Sequence, residues 1–138
     1  MSQPCLADTG LVVAYLNAGD QHHAWAVGQF QNRRLPFLTC DAVIAEAVFL
    51  MAREKLPRFL VPRLLATGVL RVAFDPNQEA EAVAVLMGRY ADRPMDYADA
   101  CLVRMSEWFH RATVLTVDSD FHVYRRNRNE AIPVEMPS

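Results

Sequence analysis

The sequence predicts a three-layer α/β/α fold: an open, mainly parallel, twisted sheet with helices on both faces. Three observations predict it. Short apolar runs alternate with longer segments of helical period. Gly, Pro, Asp and Asn fall at the junctions, where turns and caps need them. Two of the apolar runs end at an Asp, beyond the carboxyl ends of strands, where open α/β sheets bind their ligands. Apolar strands separated by helices imply βαβ units, and right-handed crossovers then cover both faces of the sheet.

Pro4 to Asp8 reads as a buried strand ending at an Asp. Thr9-Gly10 makes the turn into a helix over Leu11 to Asn17, which Gly19-Asp20 breaks. A second helix is expected over His22 to Gln31, with Trp25, Val27 and Phe30 at helical spacing. Leu35 to Cys40 is strand two, and Pro36 stands at its start. Asp41 is placed as the N-cap of a long helix from Ala42 to Arg53. Leu56 to Ala66 reads as a helix with Pro57 in its first turn, Pro62 as a position where a break or kink is possible, and Gly68 as its stop. Val69 to Phe74 is strand three, and Asn77 is expected to cap an alanine-rich helix to Tyr90. Asp92-Arg93-Pro94 is a loop, after which Asp96 opens a helix to about His110. Thr113 to Val117 is strand four, Ala131 to Met136 a weaker edge strand, and Pro133 to Ser138 a short tail.

Composition agrees with one domain spanning residues 1–138. The chain has 138 residues and a 52% apolar fraction, enough for a single sizeable core and too apolar for disorder. No apolar run reaches the ~18 residues of a membrane helix. Met1 to Pro4 lacks the basic region of a signal peptide, so a cytoplasmic location with no membrane association is expected. Cys5, Cys40 and Cys101 show no C-x-x-C spacing and are expected as buried free thiols. The net charge of -2 gives no global attraction to nucleic acid. A nucleic-acid ligand would have to meet a local basic patch. Arg125, Arg126 and Arg128 are the best candidate, with a solvated basic turn as the bland alternative.

Four acidic segments dominate the chemistry: Ala7-Asp8-Thr9-Gly10, Ala42 to Glu46, Met95 to Ala100 and Leu115 to Asp120. Carboxylates gathered without a cationic neighbour repel, by roughly 1 kcal/mol per pair at ~5 Å in water and several-fold more inside a protein. A divalent cation is the usual compensation. Each acid also has a structural use. Asp8 is a natural cap for the first helix. Asp96 and Asp99, three apart, suit a capping box and the helix dipole. Glu46 differs, because its neighbours are mostly Ala, Val, Ile, Phe and Leu, and a charge in such company is usually paired or binds metal.

Other chemistries fit less well. His22 and His23 are adjacent and cannot share a helix face, and His110 and His122 are isolated, so a histidine-ligated zinc site is not expected. No Gly-rich phosphate loop or nucleophilic Ser or Cys motif appears. The Asp118-Ser119-Asp120 triplet is shared with aspartyl-phosphate phosphatases, but too little chain follows it to build their site. A receiver-like phosphoacceptor would want a Lys near the pocket, and the only Lys is Lys55, in a different stretch.

Taken in order, the four segments resemble the motifs of the PIN-domain family, most closely the VapC-type toxin ribonucleases of prokaryotic toxin–antitoxin pairs. The likeness covers nearly the whole chain. It rests on Ala7-Asp8-Thr9-Gly10-Leu11-Val12-Val13-Ala14, Thr39 to Ala47, Tyr90 to Ala100, and Leu115 to Phe121 followed by Tyr124-Arg125, with His22-His23-Ala24-Trp25-Ala26 familiar from one branch. The resemblance implies Asp8, Glu46, Asp99 and Asp118 as the core acidic set, and Asp96 and Asp120 as accessory acids. It implies Mg2+ or Mn2+, single-stranded or loop RNA as substrate, a homodimer and an antitoxin partner. Asp8, Asp99 and Asp118 are the expected metal ligands, with Glu46 binding metal directly, through water, or orienting the nucleophile. Arg125, Arg126 and Thr9 are candidates for contacting substrate phosphates. The alternative is a catalytically silent RNA- or partner-binding module. Gly10 departs from the many relatives with Ser or Thr there, and removes a possible hydroxyl near the metal.

Overall fold

A computed structural model describes residues 3–138. Met1 and Ser2, the start of the segment read above as lacking a leader's basic region, lie outside the described residues. The strands are β1 (Cys5–Ala7), β2 (Phe37–Thr39), β3 (Leu70–Val72), β4 (Thr113–Leu115), β5 (Arg125–Arg126), β6 (Glu130–Ala131) and β7 (Val134–Glu135). Five of them form one sheet in the order β3-β2-β1-β4-β7, and every pairing in it is parallel. β5 and β6 make a separate antiparallel hairpin.

Helices α1 (Thr9–Leu16) and α2 (His23–Asn32) connect β1 to β2. Helices α3 (Asp41–Arg53) and α4 (Leu60–Ala66) connect β2 to β3, and α5 (Pro76–Arg89) and α6 (Tyr97–Trp108) connect β3 to β4. The sheet grows one way from β1 to β3 and then jumps back across β1 to β4. Right-handed crossovers therefore put α1 to α4 on one face and α5 and α6 on the other. Packing agrees: α1 touches α2, α3 and α4, and α5 packs on α6. Covered on both faces, β1 is buried at all three residues, which is why it reads as a continuous apolar run. Leu6, Leu11, Phe37, Met51, Leu102 and Leu115 are fully buried in the core. Among the described residues, no helix is long and apolar enough to cross a membrane. Cys5, Cys40 and Cys101 are buried and free.

The predicted fold class is the observed one, but several junctions differ. Asp41 is not the cap of α3 but its first residue; Cys40 is the N-cap and makes no side-chain bond there. Asp75, not Asn77, caps α5, accepting from the Asn77 N–H at 3.0 Å, with Pro76 in the first helical position where its missing N–H costs nothing. The fourth helix starts at Leu60, so Pro57 precedes it and Pro62 falls in its first turn without breaking it. Gly68 ends that region at a φ of +85°, the left-handed conformation that glycine adopts freely. The expected edge strand over Ala131 to Met136 is two pieces: Ala131 pairs in the hairpin, and Val134–Glu135 adds to β4. That hairpin was not expected, because its turn carries positive φ at Asn127 and Arg128 rather than at a Gly.

Two features set the ends of the central strands beside each other. Leu6 lies level with Val114 and Ala7 with Leu115, so Asp8 and the segment after Leu115 leave the sheet at one height. Gly10, in the first turn of α1, lets Val117 approach; a Cβ there would overlap the Val117 Cγ2 methyl. The missing side chain is thus a packing requirement. Gly10→Ala is expected to lower stability by about 1–3 kcal/mol. Adding Val117→Ala should recover most of it, and urea denaturation of the two singles and the double checks this. Simple additivity of the losses would show that the contact is not the cause.

Candidate active site

Asp8 follows β1 at the sheet's reversal point, between β1 and the neighbouring β4, where such folds bind ligands. Its carboxylate is buried, and both oxygens are held. Oδ1 accepts from the Thr9 N–H at 2.8 Å, which makes Asp8 the N-cap of α1. Oδ2 accepts from the Thr116 hydroxyl at 2.6 Å. The same Thr116 oxygen accepts the Asp118 N–H at 2.9 Å. One buried hydroxyl therefore ties two acidic residues that stand 110 positions apart in the chain. Asp118 in turn accepts the Asp120 N–H at 2.9 Å, opening a short 3-10 turn over Ser119–His122.

The third acid enters from α6. Asp96 is its N-cap and accepts the Asp99 N–H at 2.8 Å; Asp99 reaches back to the Asp96 N–H at 3.4 Å. This capping box is the structural use its spacing allows. Asp99 is also buried, and accepts from the Tyr124 hydroxyl at 3.1 Å. Glu46, half-buried on α3, faces the group from the opposite helix layer and shares a cavity with Asp96.

Electrostatics shows which acids sense one another. Burial, then the charges of Asp118 and Glu46, push the Asp8 carboxyl up to about 6 against the hydrogen bonds from Thr116 and Thr9. Burial, then the charges of Asp96 and Asp8, push Asp99 up to about 8. Burial and the charge of Asp99 push Tyr124 upward too, so it stays a protonated donor. Asp8, Glu46, Asp99 and Asp118 have no Arg, Lys or His partner among the described residues. Asp120 does have one, Arg93 at 3.8 Å.

This donor set suits a hard divalent cation such as Mg2+ or Mn2+, which takes carboxylate and water oxygens. A second sign is Thr9 Oγ1, a buried oxygen without a hydrogen-bond partner beside Asp8. Among the described residues, no three acidic, His or Cys side chains converge closely enough to enclose an ion as they stand. The acids are neighbours rather than a finished cage.

The basic candidates lie elsewhere. Arg126 is 3% exposed, and its guanidinium is spent on Glu130 at 2.6 Å and the Ser106 carbonyl at 2.8 Å. It fastens the hairpin to α6 and does not face the acids. Arg125 donates to the carbonyls of His122, Val123 and Tyr124. Sequence reasoning missed Thr116, Tyr124 and Arg53. Arg53 has no partner among the described residues, and it lines a cavity of about 340 Å3 together with Gly10 and Val117. The Thr116-x-Asp118 spacing was a visible signal for the first, and Tyr124 stood in the fourth motif without a role; nothing local marks Arg53.

Asp8 and Asp99 bind protons more tightly when folded than the ~3.9 of an unfolded Asp. Their contribution is therefore complete below about pH 4 and lost as pH rises through about 6 and about 8. The melting temperature of metal-free protein is expected to fall between pH 5 and pH 9. Asp99→Asn should flatten the upper part of that fall, and Mn2+ should offset it most at high pH; a flat wild-type profile would contradict both. Arg126→Ala should cost about 2 kcal/mol by thermal melting, since it removes charge-assisted bonds from a buried group.

Comparison with known proteins bears on the fold and the family. The sequence model of the PIN domain family matches residues 5–127. The chain is 27% identical over 115 residues to Ribonuclease VapC26 of Mycobacterium tuberculosis, covering 82% of this chain and 85% of that protein. Its fold matches the crystal structure of Mycobacterium tuberculosis VapC20, a sarcin-ricin loop cleaving toxin, with a TM-score of 0.77 at 21% identity. That match covers 86% of this chain and 93% of the other, and shows a shared fold. With a family match spanning nearly its whole length and the family's α/β architecture, the chain belongs to the PIN domain family.

Proposed function

We propose that this chain is a metal-dependent endoribonuclease that hydrolyses RNA phosphodiester bonds, and the cytoplasmic toxin of a toxin–antitoxin pair. The carrying observation is the group of Asp8, Glu46, Asp99 and Asp118 at the sheet's reversal point, two of them buried, with no cationic side chain bonded to any. Its kinship to Ribonuclease VapC26 supports the reaction class. In this reading Asp8, Asp99 and Asp118 hold Mg2+ or Mn2+, and Glu46 completes the set. When bound, the cation supplies a water of lowered pKa and offsets charge on the phosphate.

The chain's other residues position these groups. Thr116 and the Thr9 N–H fix both oxygens of Asp8, each of which keeps a lone pair for a ligand. The Tyr124 hydroxyl fixes Asp99. Asp96 orders the first turn that carries Asp99, and Asp120 stands as the accessory acid beside Asp118. Thr9, with its unpartnered hydroxyl, remains a substrate or water contact. Arg53 takes the phosphate-contact role in place of Arg125 and Arg126.

A homodimer is proposed on the family likeness, and an antitoxin on a face of its own. Of the apolar stretch Val48 to Met51 with Leu56 to Val61, Met51 and Val61 are core, but Phe49 is 62% and Phe59 55% exposed. Such large exposed rings, one on α3 and one at the entry to α4, support a groove for an amphipathic partner helix. A catalytically silent binding module is the second reading, favoured by the acids' incomplete convergence.

The test is incubation of bacterial RNA with the purified chain in Mg2+, Mn2+ or EDTA. Discrete cuts are expected that require the divalent ion and drop by at least ~100-fold in Asp118→Asn, of the order lost with an electrostatic catalytic group. Equal cutting by wild type and variant would refute the mechanism. No cutting despite a Mn2+ thermal shift would favour the silent module. Arg53→Ala is expected to weaken binding of single-stranded RNA without sequence bias, and to reduce the salt slope by roughly one unit or less.

A further inference from the structure

We propose that the cavity between α3 and α6 is a subsite for one unstacked nucleobase next to the cleaved phosphate, selecting cytosine over uracil. This deepens the ribonuclease reading of the adjoining acids and rests on it. The cavity measures about 490 Å3, inside the ~300–1,000 Å3 range of small-ligand sites. It opens directly beside the acidic group, since Glu46 and Asp96 line it. A base entering it would leave its own phosphate at the carboxylates.

The lining has the parts that base recognition needs. Tyr97, Phe74 and Pro76 supply flat apolar surface. Tyr97 is 47% exposed although it begins a well-packed helix. Cys40 and Cys101, both buried, line the same cavity as Tyr97. A half-exposed aromatic ring lining a cavity is a stacking platform, as single-stranded RNA recognition uses. Asp41 is exposed on the first turn of α3, lines the same cavity, and has no side-chain partner among the described residues. A carboxylate only accepts. It welcomes the cytosine amino group and repels the uracil carbonyl at the same ring position. The charge pattern also favours the base, not the phosphate, as the part that enters.

The test uses the full chain and fluorescent oligouridylate with or without one central cytosine. Binding is followed by anisotropy in Ca2+ and again in EDTA, and cleavage is followed separately in Mn2+. The cytosine oligomer is expected to bind and be cut in preference to the all-uridine one. Tyr97→Leu should weaken its binding roughly 5- to 150-fold, while Tyr97→Phe, which keeps the ring, loses much less. Asp41→Asn should bring the cytosine-to-uracil ratio close to one while the all-uridine oligomer is still cut. Thermal melts of the three variants verify that each is folded.

Unchanged affinity in Tyr97→Leu, an unchanged ratio in Asp41→Asn, or no binding of either oligomer overturns the subsite. So does a Tyr97-dependent preference for a short arginine peptide with no preference between the bases, because the pocket then takes a protein side chain. Cytosine-selective, Tyr97-dependent binding without any cleavage leaves the subsite standing and removes the ribonuclease reading. Cleavage with no base preference does the reverse.

Discussion

The site depends on keeping a carboxylate, Asp8, buried at the end of the central strand. Burial of an acid is unfavourable unless its oxygens are bonded. Here the first turn of α1 supplies one bond and Thr116 the other. Because Thr116 also accepts the Asp118 N–H, satisfying Asp8 fixes the path of the chain after β4. Gly10 completes the arrangement by giving Val117 room against α1. The β1–β4 register, the first helix and the fourth acidic segment are coupled through one hydroxyl and one absent side chain.

The charges are divided by the fold in a consistent way. Arginines are used to fasten the periphery. Arg126 joins the hairpin to α6, and Arg104 bridges Glu79 and Glu107 beside the Trp108 indole, which also donates to Glu79. Arg125 closes the last turn before the hairpin. Asp8, Asp99 and their neighbours are left without such partners, so burial and mutual repulsion raise the proton affinity of the two most enclosed acids. Stabilising cations could have been spent there and were not. That asymmetry, at a sheet reversal point in a PIN domain, is what gives the acids a chemical reading beyond helix capping.

Capping and chemistry are not rivals in this structure. Asp8, Asp96 and Asp118 each cap a helix or turn, and Asp99 closes a capping box. A cap uses one lone pair of one oxygen and fixes the rotamer, leaving other lone pairs directed outward. The same bonds that order the helix starts therefore hold the acids in place. Tyr124 extends this to Asp99 from the far side of the hairpin approach, and its ring is packed edge-on against Tyr90 and Phe121.

By itself the sequence determined the periodic pattern of strands and helices, the parallel sheet, the free thiols and the four acidic segments in order. These follow from local hydrophobic period and from residue types at strand ends, which a linear reading contains. It placed the caps of α3 and α5 a residue or two off, because Cys40-Asp41 and Asp75-Pro76-Asn77 each offer neighbouring positions of similar local merit. It also grouped Arg125 and Arg126 with the acids, since adjacency in the chain looks like adjacency in space. Only the tertiary structure decided that Arg126 turns inward, that Gly10 is demanded by Val117, and that Thr116 and Tyr124 hold the carboxylates. Each of those facts is a contact between segments far apart in sequence. Their energy comes from burial and bond geometry at the meeting point, and no local pattern encodes it.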